Sequence, residues 1–213
     1  SAIPKGWCWS SSSSSSSSSG VCVCVFRGAV KMCSESLEQK LQLVYSSIKS
    51  YPDFPNQGII FRDIFPLFQD PKAFSAVIDL FEDHLRKKFP KIDLFVGLDA
   101  RGFLFAPILA QRFGIGFVPV RKKGKLPGPT LSVSYTLEYG KAEVEMQCDA
   151  VQANQKVVVI DDLIATGGTL SAACELLNKM GANILECLVL IELKALNGVK
   201  KLNCVPFHAL VEF

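Results

Sequence analysis

Residues Val157–Ala173 read VVVIDDLIATGGTLSAA, and this stretch decides the fold. Val157–Ile160 is an uninterrupted β-branched run, which is typical of a parallel strand buried on both faces. Asp161 and Asp162 follow where we expect that strand to end, and a glycine-containing turn comes next. From Leu170 onward the apolar residues recur at helical spacing. The stretch therefore predicts a strand, an acidic pair, a glycine turn and a helix.

The turn holds two glycines between two threonines: Thr166, Gly167, Gly168 and Thr169. Glycine has no Cβ, so the backbone can approach an anion and aim consecutive N–H groups at it. The N-terminus of the following helix adds partial positive charge. We therefore expect a phosphate at this turn. Because the two acids upstream can accept hydrogen bonds from hydroxyl groups, a sugar phosphate fits better than bare phosphate. The alternative is an ordinary strand-to-helix loop with a solvated acidic pair.

Composition and charge indicate a globular chain of one domain. The 213 residues are 49% hydrophobic and 20% charged. The net charge of +3 arises within residues 1–31, and the remainder holds 20 basic and 20 acidic groups. Charge therefore gives no case for a nucleic acid or membrane partner, and no apolar run approaches the ~18 residues of a membrane span. The eight cysteines lack CxxC spacing, so we expect buried free thiols and a reducing, cytoplasmic location.

Residues 1–31 differ in composition from the rest. Ser10–Ser19 is a serine homopolymer with no apolar face to bury. We expect this leader to be disordered and outside the fold, and residues 32–213 to form a single domain. Met32 stands directly before the regular pattern, so we expect it to be the natural start. The leader would then be translated from sequence upstream of that start. The alternative is an organelle transit peptide, which a serine-rich, acid-free leader resembles.

Helical and strand patterns alternate along the rest of the chain. Ser36 with Gln39 predicts a capping box, with one helical face formed by Leu37, Leu41, Val44, Tyr45 and Ile48. Asp70 and Pro71 are placed to open a second helix. Further strands are predicted at Ile92–Leu98, Gly116–Val120, Ile184–Leu193 and Val205–Val211. A hairpin is predicted over Ser132–Tyr139 and Lys141–Gln147, preceded by a mobile loop at residues 124–131. Neither His84 nor His208 has neighbours that indicate catalysis, and we expect His84 on a solvated helix face.

This alternation predicts an α/β fold with a mostly parallel sheet, whose ligands bind at the carboxyl ends of the strands. The turn at Asp99–Gly102 follows one such strand, so it is expected to open on the same edge as the glycine turn.

The segment IDDLIATGGT closely resembles the phosphoribosyl pyrophosphate (PRPP) signature of the type I phosphoribosyltransferases. It is not a P-loop or a GxGxxG turn. The segments YPDFPNQGIIFRDI, GLDARGFLF, VRKKGKLPGPT and SYTLEYGKAE are similar to the adenine-specific branch of that family, and the resemblance covers roughly Ser34–Phe213. It implies a mostly parallel central sheet flanked by helices, with a small hood and a flexible lid hairpin. It also implies transfer of a phosphoribosyl group from PRPP to adenine, which gives AMP and pyrophosphate.

The resemblance further implies a role for individual residues. The 5′-phosphate would be held by Ala165, Thr166, Gly167, Gly168 and Thr169. Pyrophosphate would be held by Asp99, Ala100, Arg101, Lys122 and Lys125. Adenine would be held by Ile60, Phe61, Arg62 and Leu163. The catalytic residues would be Glu138, Tyr139, Asp161 and Asp162, with the glutamate moving a proton and the aspartates facing the ribose hydroxyls.

Magnesium would ride mainly on PRPP oxygens and water, with no direct protein ligand, and the family implies a homodimer. Three other interpretations stay open. The same fold could serve a regulator that binds PRPP or nucleotide without catalysis, or a transferase for hypoxanthine and guanine, or one for orotate. Taken singly, the cations and the Glu138-Tyr139 pair also fit a solvated surface, and Ile60 and Phe61 fit plain core packing.

Overall fold

The computed structural model describes residues 36–136 and 141–213. The leader, and the proposed lid residues Glu138 and Tyr139, lie outside the described residues. The helices are α1 (Leu37–Ser47), α2 (Phe65–Gln69), α3 (Pro71–Lys88), α4 (Ala106–Phe113) and α5 (Gly168–Lys179). The strands are β1 (Lys49–Pro52), β2 (Ile60–Asp63), β3 (Leu94–Leu98), β4 (Gly116–Lys122), β5 (Thr130–Thr136), β6 (Lys141–Gln147), β7 (Lys156–Ile164), β8 (Asn183–Glu192) and β9 (Phe207–Glu212). Short 3₁₀ helices cover Arg101–Leu104, Lys194–Leu196 and Gly198–Leu202.

A seven-stranded sheet runs in the order β5-β6-β4-β3-β7-β8-β9. Strands β4, β3, β7, β8 and β9 are parallel neighbours, while β6 is antiparallel to both β4 and β5. The predicted α/β class with a mostly parallel central sheet is therefore confirmed. Strands β1 and β2 form a separate antiparallel pair, which matches the expected small hood.

Strand β7 divides the apolar residues into two cores because successive side chains of a strand point to opposite faces. Val158 and Ile160 pack with α1 to α4 in one cluster, whereas Val157 and Val159 pack with α5 in the other. All four residues are fully buried. The apolar run at the start of β7 thus serves both faces of the sheet, as its sequence predicts.

Strand β7 is longer than the sequence indicated. It continues through both acids to Ile164, because β8 pairs with it along this length, with Asp161 opposite Val189 and Leu163 opposite Ile191. The expectation that the strand ends at the acidic pair is therefore wrong. Helix α5 also begins at Gly168, two residues before the first apolar position of its pattern.

The capping box of α1 is confirmed. The Ser36 hydroxyl accepts a hydrogen bond from the Gln39 N–H at 3.2 Å, and the Gln39 side chain accepts one from the Ser36 N–H at 2.9 Å. The predicted apolar face is only partly buried, since Leu37 is 57% exposed and Tyr45 48% exposed. The Tyr45 ring instead stacks on the Phe213 ring at 5.0 Å. Short helix α2 was not predicted.

Helix α3 begins as predicted, and Asp70 accepts a hydrogen bond from the Lys72 N–H at 2.9 Å. The expectation that its His84 lies on a solvated face is wrong. His84 Nε2 lies 2.7 Å from Glu186 Oε2, and its ring stacks on that of His208 at 3.6 Å. Glu186 is fully buried in β8, so its carboxylate requires donors, and Lys88 supplies a second one. His84, Lys88, Glu186 and His208 together are called the His84 cluster below.

The four cysteines in the described part of the chain are free thiols. Cys174 of α5 and Cys187 of β8 are buried, with their Sγ atoms 3.5 Å apart. Cys148 and Cys204 are exposed, which corrects the expectation of buried thiols for these two residues, because both lie in turns between elements. Within the described residues, no helix is long and apolar enough to cross a membrane.

Candidate active site

The glycine turn, the acidic pair and the Asp99 turn come together in one cleft of about 240 Å³. Strands β3 and β7 are parallel neighbours, so the segments that follow them emerge at the same edge of the sheet. The cleft is lined by Asp99, Ala100, Arg101, Asp161, Asp162, Leu163, Ile164, Ala165, Thr166, Gly167, Gly168, Thr169 and Leu170. The prediction that both turns open on one edge is confirmed. The peptide bond between Asp99 and Ala100 is cis.

The glycine turn is shaped by a close approach to a second segment. Gly167 has a φ of +76°, which is the left-handed region that glycine adopts without cost. A Cβ at Gly167 would lie 2.2 Å from the Gly198 carbonyl oxygen. Likewise, a Cβ at Gly198 would lie 2.2 Å from the Ala165 carbonyl oxygen. The turn therefore depends on glycine at both positions. The sequence carried no signal for Gly198, since its role exists only after folding.

Asp161 and Asp162 differ in their surroundings. Asp162 is 4% exposed, whereas Asp161 is half-buried, and the Asp162 N–H donates to Asp161 Oδ1 at 2.9 Å. Arg101 Nε lies 2.8 Å from Asp162 Oδ2, forming an ion pair. Within the described residues that oxygen nevertheless receives no well-aligned hydrogen bond. This oxygen is itself enclosed by protein, so the ion pair with Arg101 is its main compensation.

The two carboxyl groups are held in an environment that opposes ionisation. Burial, and then repulsion from Asp162, raise the pKa of Asp161 well above its usual value. Burial also raises the pKa of Asp162, although the Arg101 guanidinium works against that rise. A cationic or hydrogen-donating ligand in the cleft would therefore favour the ionised form of both carboxyl groups.

The Asp99 turn has a partner that sequence reasoning missed. Arg121, in β4, donates from Nε to Asp99 Oδ2 at 2.9 Å. A second cavity of about 520 Å³ lies beside this pair, and Lys122 and Thr169 are among the residues that line it. Lys125 lines neither this cavity nor the cleft. The resemblance assigned the neighbouring Lys122 to pyrophosphate but gave no role to Arg121.

An apolar cavity of about 690 Å³ adjoins the glycine turn at Ala165 and Thr166. Its other lining residues are Gly58, Ile59, Ile60, Arg62, Leu193, Ala195, Leu196 and Phe213. Two of the four predicted base-binding residues, Ile60 and Arg62, are therefore in this wall. Phe61 is not, because side chains alternate along β2, and its ring meets Phe54 edge-on at 5.2 Å. Leu163 lines the adjacent cleft instead.

Arg62 is fixed by aromatic packing. Its guanidinium carbon lies 4.0 Å from the centre of the Phe213 ring, and Nη1 donates to the Ser50 hydroxyl. The Phe213 ring is in turn stacked against the Tyr45 ring. Sequence reasoning missed Phe213 and Leu193 because residues far apart in the chain meet here only through the fold. No group of three or more His, Cys, Asp or Glu side chains in the described ranges is arranged to hold a metal ion.

Comparison with known proteins identifies the class. The phosphoribosyl transferase domain family matches residues 66–205, which is more than half of the chain. The chain therefore belongs to the phosphoribosyltransferase family.

The similar curated proteins and solved structures are adenine phosphoribosyltransferases, which confirms the resemblance to that branch. The Rattus norvegicus enzyme is 56% identical over 177 residues, covering 83% of this chain and 98% of the relative. The Homo sapiens enzyme is 55% identical over the same share. The Saccharomyces cerevisiae enzyme, solved with an imino-altritol bisphosphate and adenine, superposes with a TM-score of 0.80. It is 45% identical and covers 82% of this chain and 99% of that one.

Proposed function

We propose that this chain transfers the 5-phosphoribosyl group from PRPP to adenine, giving AMP and pyrophosphate, a reaction of purine salvage. One observation carries the proposal. The glycine turn, the Asp161-Asp162 pair and the Asp99–Arg101 turn line a single cleft, and that cleft adjoins an apolar cavity at Ala165 and Thr166. A phosphate subsite, a sugar subsite and a base subsite are thereby contiguous.

The 5′-phosphate binds at the start of α5. Residues Ala165–Thr169 offer backbone N–H groups, two hydroxyls and the positive end of the helix dipole. The backbone of Gly198 packs against Ala165 and Gly167 and so restricts the shape of this turn. The phosphate therefore fixes one end of the substrate by contacts that leave the reacting carbon untouched.

Asp161 and Asp162 face the ribose. Glycosyl transfer passes through an oxocarbenium-like state, so carboxylates near the ring stabilise the positive charge that develops. Because both pKa values are raised, these carboxylates gain most from a ligand that donates hydrogen bonds or carries positive charge. Asp161, the less buried of the two, is the acceptor for such a donor.

The pyrophosphate group lies at the Asp99 turn. Arg101 uses Nε toward Asp162, which leaves its terminal N–H groups for bidentate contact with phosphate oxygens. Lys122 borders the neighbouring cavity and adds positive charge. Lys125 and the lid residues Glu138 and Tyr139 are assigned to this end by resemblance alone.

Adenine enters the apolar cavity. Ile60, Leu193 and Phe213 offer flat or aliphatic surface for a purine ring. Among the described strands, β2 pairs only with β1, so the other edge of its backbone can read the amino group of the base. Phe61 supports this strand from its opposite face, and Leu163 lies between base and ribose.

The cleft offers carboxylate oxygens, the ligand type that Mg²⁺ prefers. We propose that Mg²⁺ is carried on PRPP oxygens and water, with no direct protein ligand. When bound, it would neutralise pyrophosphate charge, and Asp161 and Asp162 are the carboxylates that could hold its water ligands. We also propose a homodimer acting in the cytoplasm, where the free thiols of the described cysteines persist.

One assay tests the function. The protein is incubated with PRPP, Mg²⁺ and, separately, adenine, hypoxanthine, guanine or orotate, and nucleotide formation is followed. AMP from adenine is expected, and the Asp161→Asn/Asp162→Asn variant serves as the control that should not form it. Binding of PRPP without AMP would favour a regulator. A nucleotide formed only from another base would favour a different transferase.

A further inference from the structure

Three polar side chains are buried in the described part of the chain: Glu145, Asp162 and Glu186. Asp162 belongs to the cleft, and Glu186 is bonded to His84 and Lys88. Glu145, in β6, is 3% exposed and has no role in the reaction described so far. A buried carboxylate is costly unless its oxygens are well bonded, so its partners indicate what it does.

Glu145 holds the loop that follows β4. Its Oε1 accepts hydrogen bonds from the backbone N–H groups of Lys125 and Leu126, both at 2.8 Å. Its Oε2 accepts one from the Thr130 hydroxyl at 3.3 Å. Burial raises the pKa of Glu145, but these backbone hydrogen bonds outweigh it and keep the pKa below the usual value. The side chain is therefore an ionised acceptor for three donors of one loop.

The sequence predicted that residues 124–131 are mobile, because GKLPGPTL has two glycines, two prolines and little that can pack. In the structure, hydrogen bonds attach this loop to β6. Besides the Glu145 contacts, the Gln147 side chain donates a hydrogen bond to the Pro127 carbonyl at 3.1 Å. The Cys148 N–H donates one to the Pro129 carbonyl at 3.0 Å. Glu145 contributes most of these bonds.

The contacts continue from the loop to the cleft. The Lys125 carbonyl accepts a hydrogen bond from Arg121 Nη1 at 3.3 Å, and Arg121 Nε donates to Asp99 Oδ2 at 2.9 Å. Arg121 and Glu145 are direct partners in the pairing of β4 with β6. The position of Asp99, at the mouth of the cleft, is thus linked to Glu145 through two hydrogen-bonded residues.

We infer that Glu145 is a positioning residue for the pyrophosphate end of the site. It sets the path of Lys122–Lys125 and, through Lys125 and Arg121, the orientation of Asp99. Glu145 touches no substrate itself. The inference rests on the proposed function, in that it takes this end of the cleft to hold pyrophosphate.

Two substitutions at Glu145 separate its hydrogen bonds from its charge. Glu145→Ala removes both acceptor oxygens and with them all three hydrogen bonds, so the loop is released. Glu145→Gln keeps one oxygen for the two backbone N–H groups, and its amide can donate to the Thr130 hydroxyl. Since a misplacement of about 1 Å costs on the order of 10²-fold, we expect Glu145→Ala to raise KM for PRPP and for pyrophosphate about 10- to 100-fold. KM for adenine should not change, and Glu145→Gln should recover most of the loss.

Glu186→Ala is the matched control, because it also removes a buried, fully bonded carboxylate, but one that lies away from the cleft. It should lower stability and leave KM for PRPP unchanged. Hydrogen exchange of residues 124–130 should accelerate in Glu145→Ala and stay at the wild-type rate in Glu186→Ala. If Glu145→Ala does not fold, Thr130→Val removes only the third bond and predicts a smaller rise in the same two constants.

Wild-type KM for PRPP and pyrophosphate in Glu145→Ala would overturn the inference. So would an equal rise in the KM for adenine, or unaltered exchange of the loop. A wild-type protein that forms no AMP would defeat the proposed function, whereas the exchange comparison would still decide whether Glu145 orders the loop.

Discussion

Asp162 has almost no contact with water, and the Arg101 guanidinium lies 2.8 Å from it. Removing that cation leaves a buried carboxylate without the positive charge that lies beside it. We expect Arg101→Ala to lower the free energy of unfolding by about 1–3 kcal/mol, the usual cost of an orphaned buried acceptor. Adding Asp162→Asn should restore part of the loss, because a neutral amide does not need the cation. Urea denaturation of the two single variants and the double variant measures the coupling, and strictly additive losses would contradict it.

Asp161 illustrates a conflict between stability and function at one residue. Its pKa in the folded protein is raised above the ordinary 3.8, so the fold favours the protonated form. The stability that this group contributes is complete below that ordinary value and is lost as the pH rises through the higher folded value. We therefore expect Asp161→Asn to be more stable than the wild type at neutral pH, by a margin that grows from pH 4 upward, while phosphoribosyl transfer is lost. Urea unfolding at several pH values tests this, and a constant margin would count against it.

At the scale of elements, the phosphate turn and the 3₁₀ helix at Gly198–Leu202 interlock through two glycines. A methyl group at Gly198 would collide with the Ala165 carbonyl, so the turn must move. We expect Gly198→Ala to raise KM for PRPP while leaving the KM for adenine nearly unaltered, as steady-state kinetics would show. Gly116→Ala is a suitable control, since its new methyl would meet only the end of the Leu94 side chain, at 3.0 Å. Equal effects on both substrates would argue against this coupling.

The order of elements was largely predictable because it depends on local patterns. The β-branched run of β7, the capping box at Ser36 and the Asp70-Pro71 helix start are each encoded within a few residues. The glycine turn and the Asp99 turn were also located correctly. Their meeting in one cleft followed from a parallel sheet.

The missed features arise from contacts between segments far apart in the chain. Arg121 is one cation among several until the fold sets it against Asp99. Phe213 becomes part of a cavity only when β9 returns beside β8. The end of β7 was misplaced because pairing with β8, rather than the polarity of the two acids, decides where the strand stops. Local sequence carries no information on these contacts.

For the molecule as a whole, the His84 cluster joins α3 to β8 and β9. Burial, and the nearby charge of His84, lower the pKa of His208 below its ordinary 6.5. The fold therefore favours neutral His208, and stability that is present above pH 6.5 is lost as the pH falls through the lower folded value. The charged groups around this ring are His84, Lys88 and Glu186. The Asp83–Lys87 ion pair lines a cavity of about 480 Å³ that His84 and His208 also line.

We expect His208→Phe to flatten the decline in stability that begins as the pH falls below 6.5, because the ring that resists protonation is gone. The fall at still lower pH should persist. Hydrogen bonds from His84 and Lys88 outweigh burial and lower the pKa of Glu186, so the stability it contributes is lost only as the pH falls through that lowered value. Chemical denaturation across this range measures both phases. A wild-type slope in the variant just below pH 6.5 would show that His208 is not responsible.

The labelling rate of the neighbouring thiols of Cys174 and Cys187 should report how often α5 separates from the sheet. Among the four described cysteines, Cys148 and Cys204 face solvent and would react with a thiol reagent at once, whereas Cys174 and Cys187 would react only when α5 separates from the sheet. Helix α5 starts at the turn assigned to the 5′-phosphate. A ligand whose phosphate is bound at this turn should therefore slow the second labelling phase. The rate of that phase then measures ligand binding without a dye or a tag.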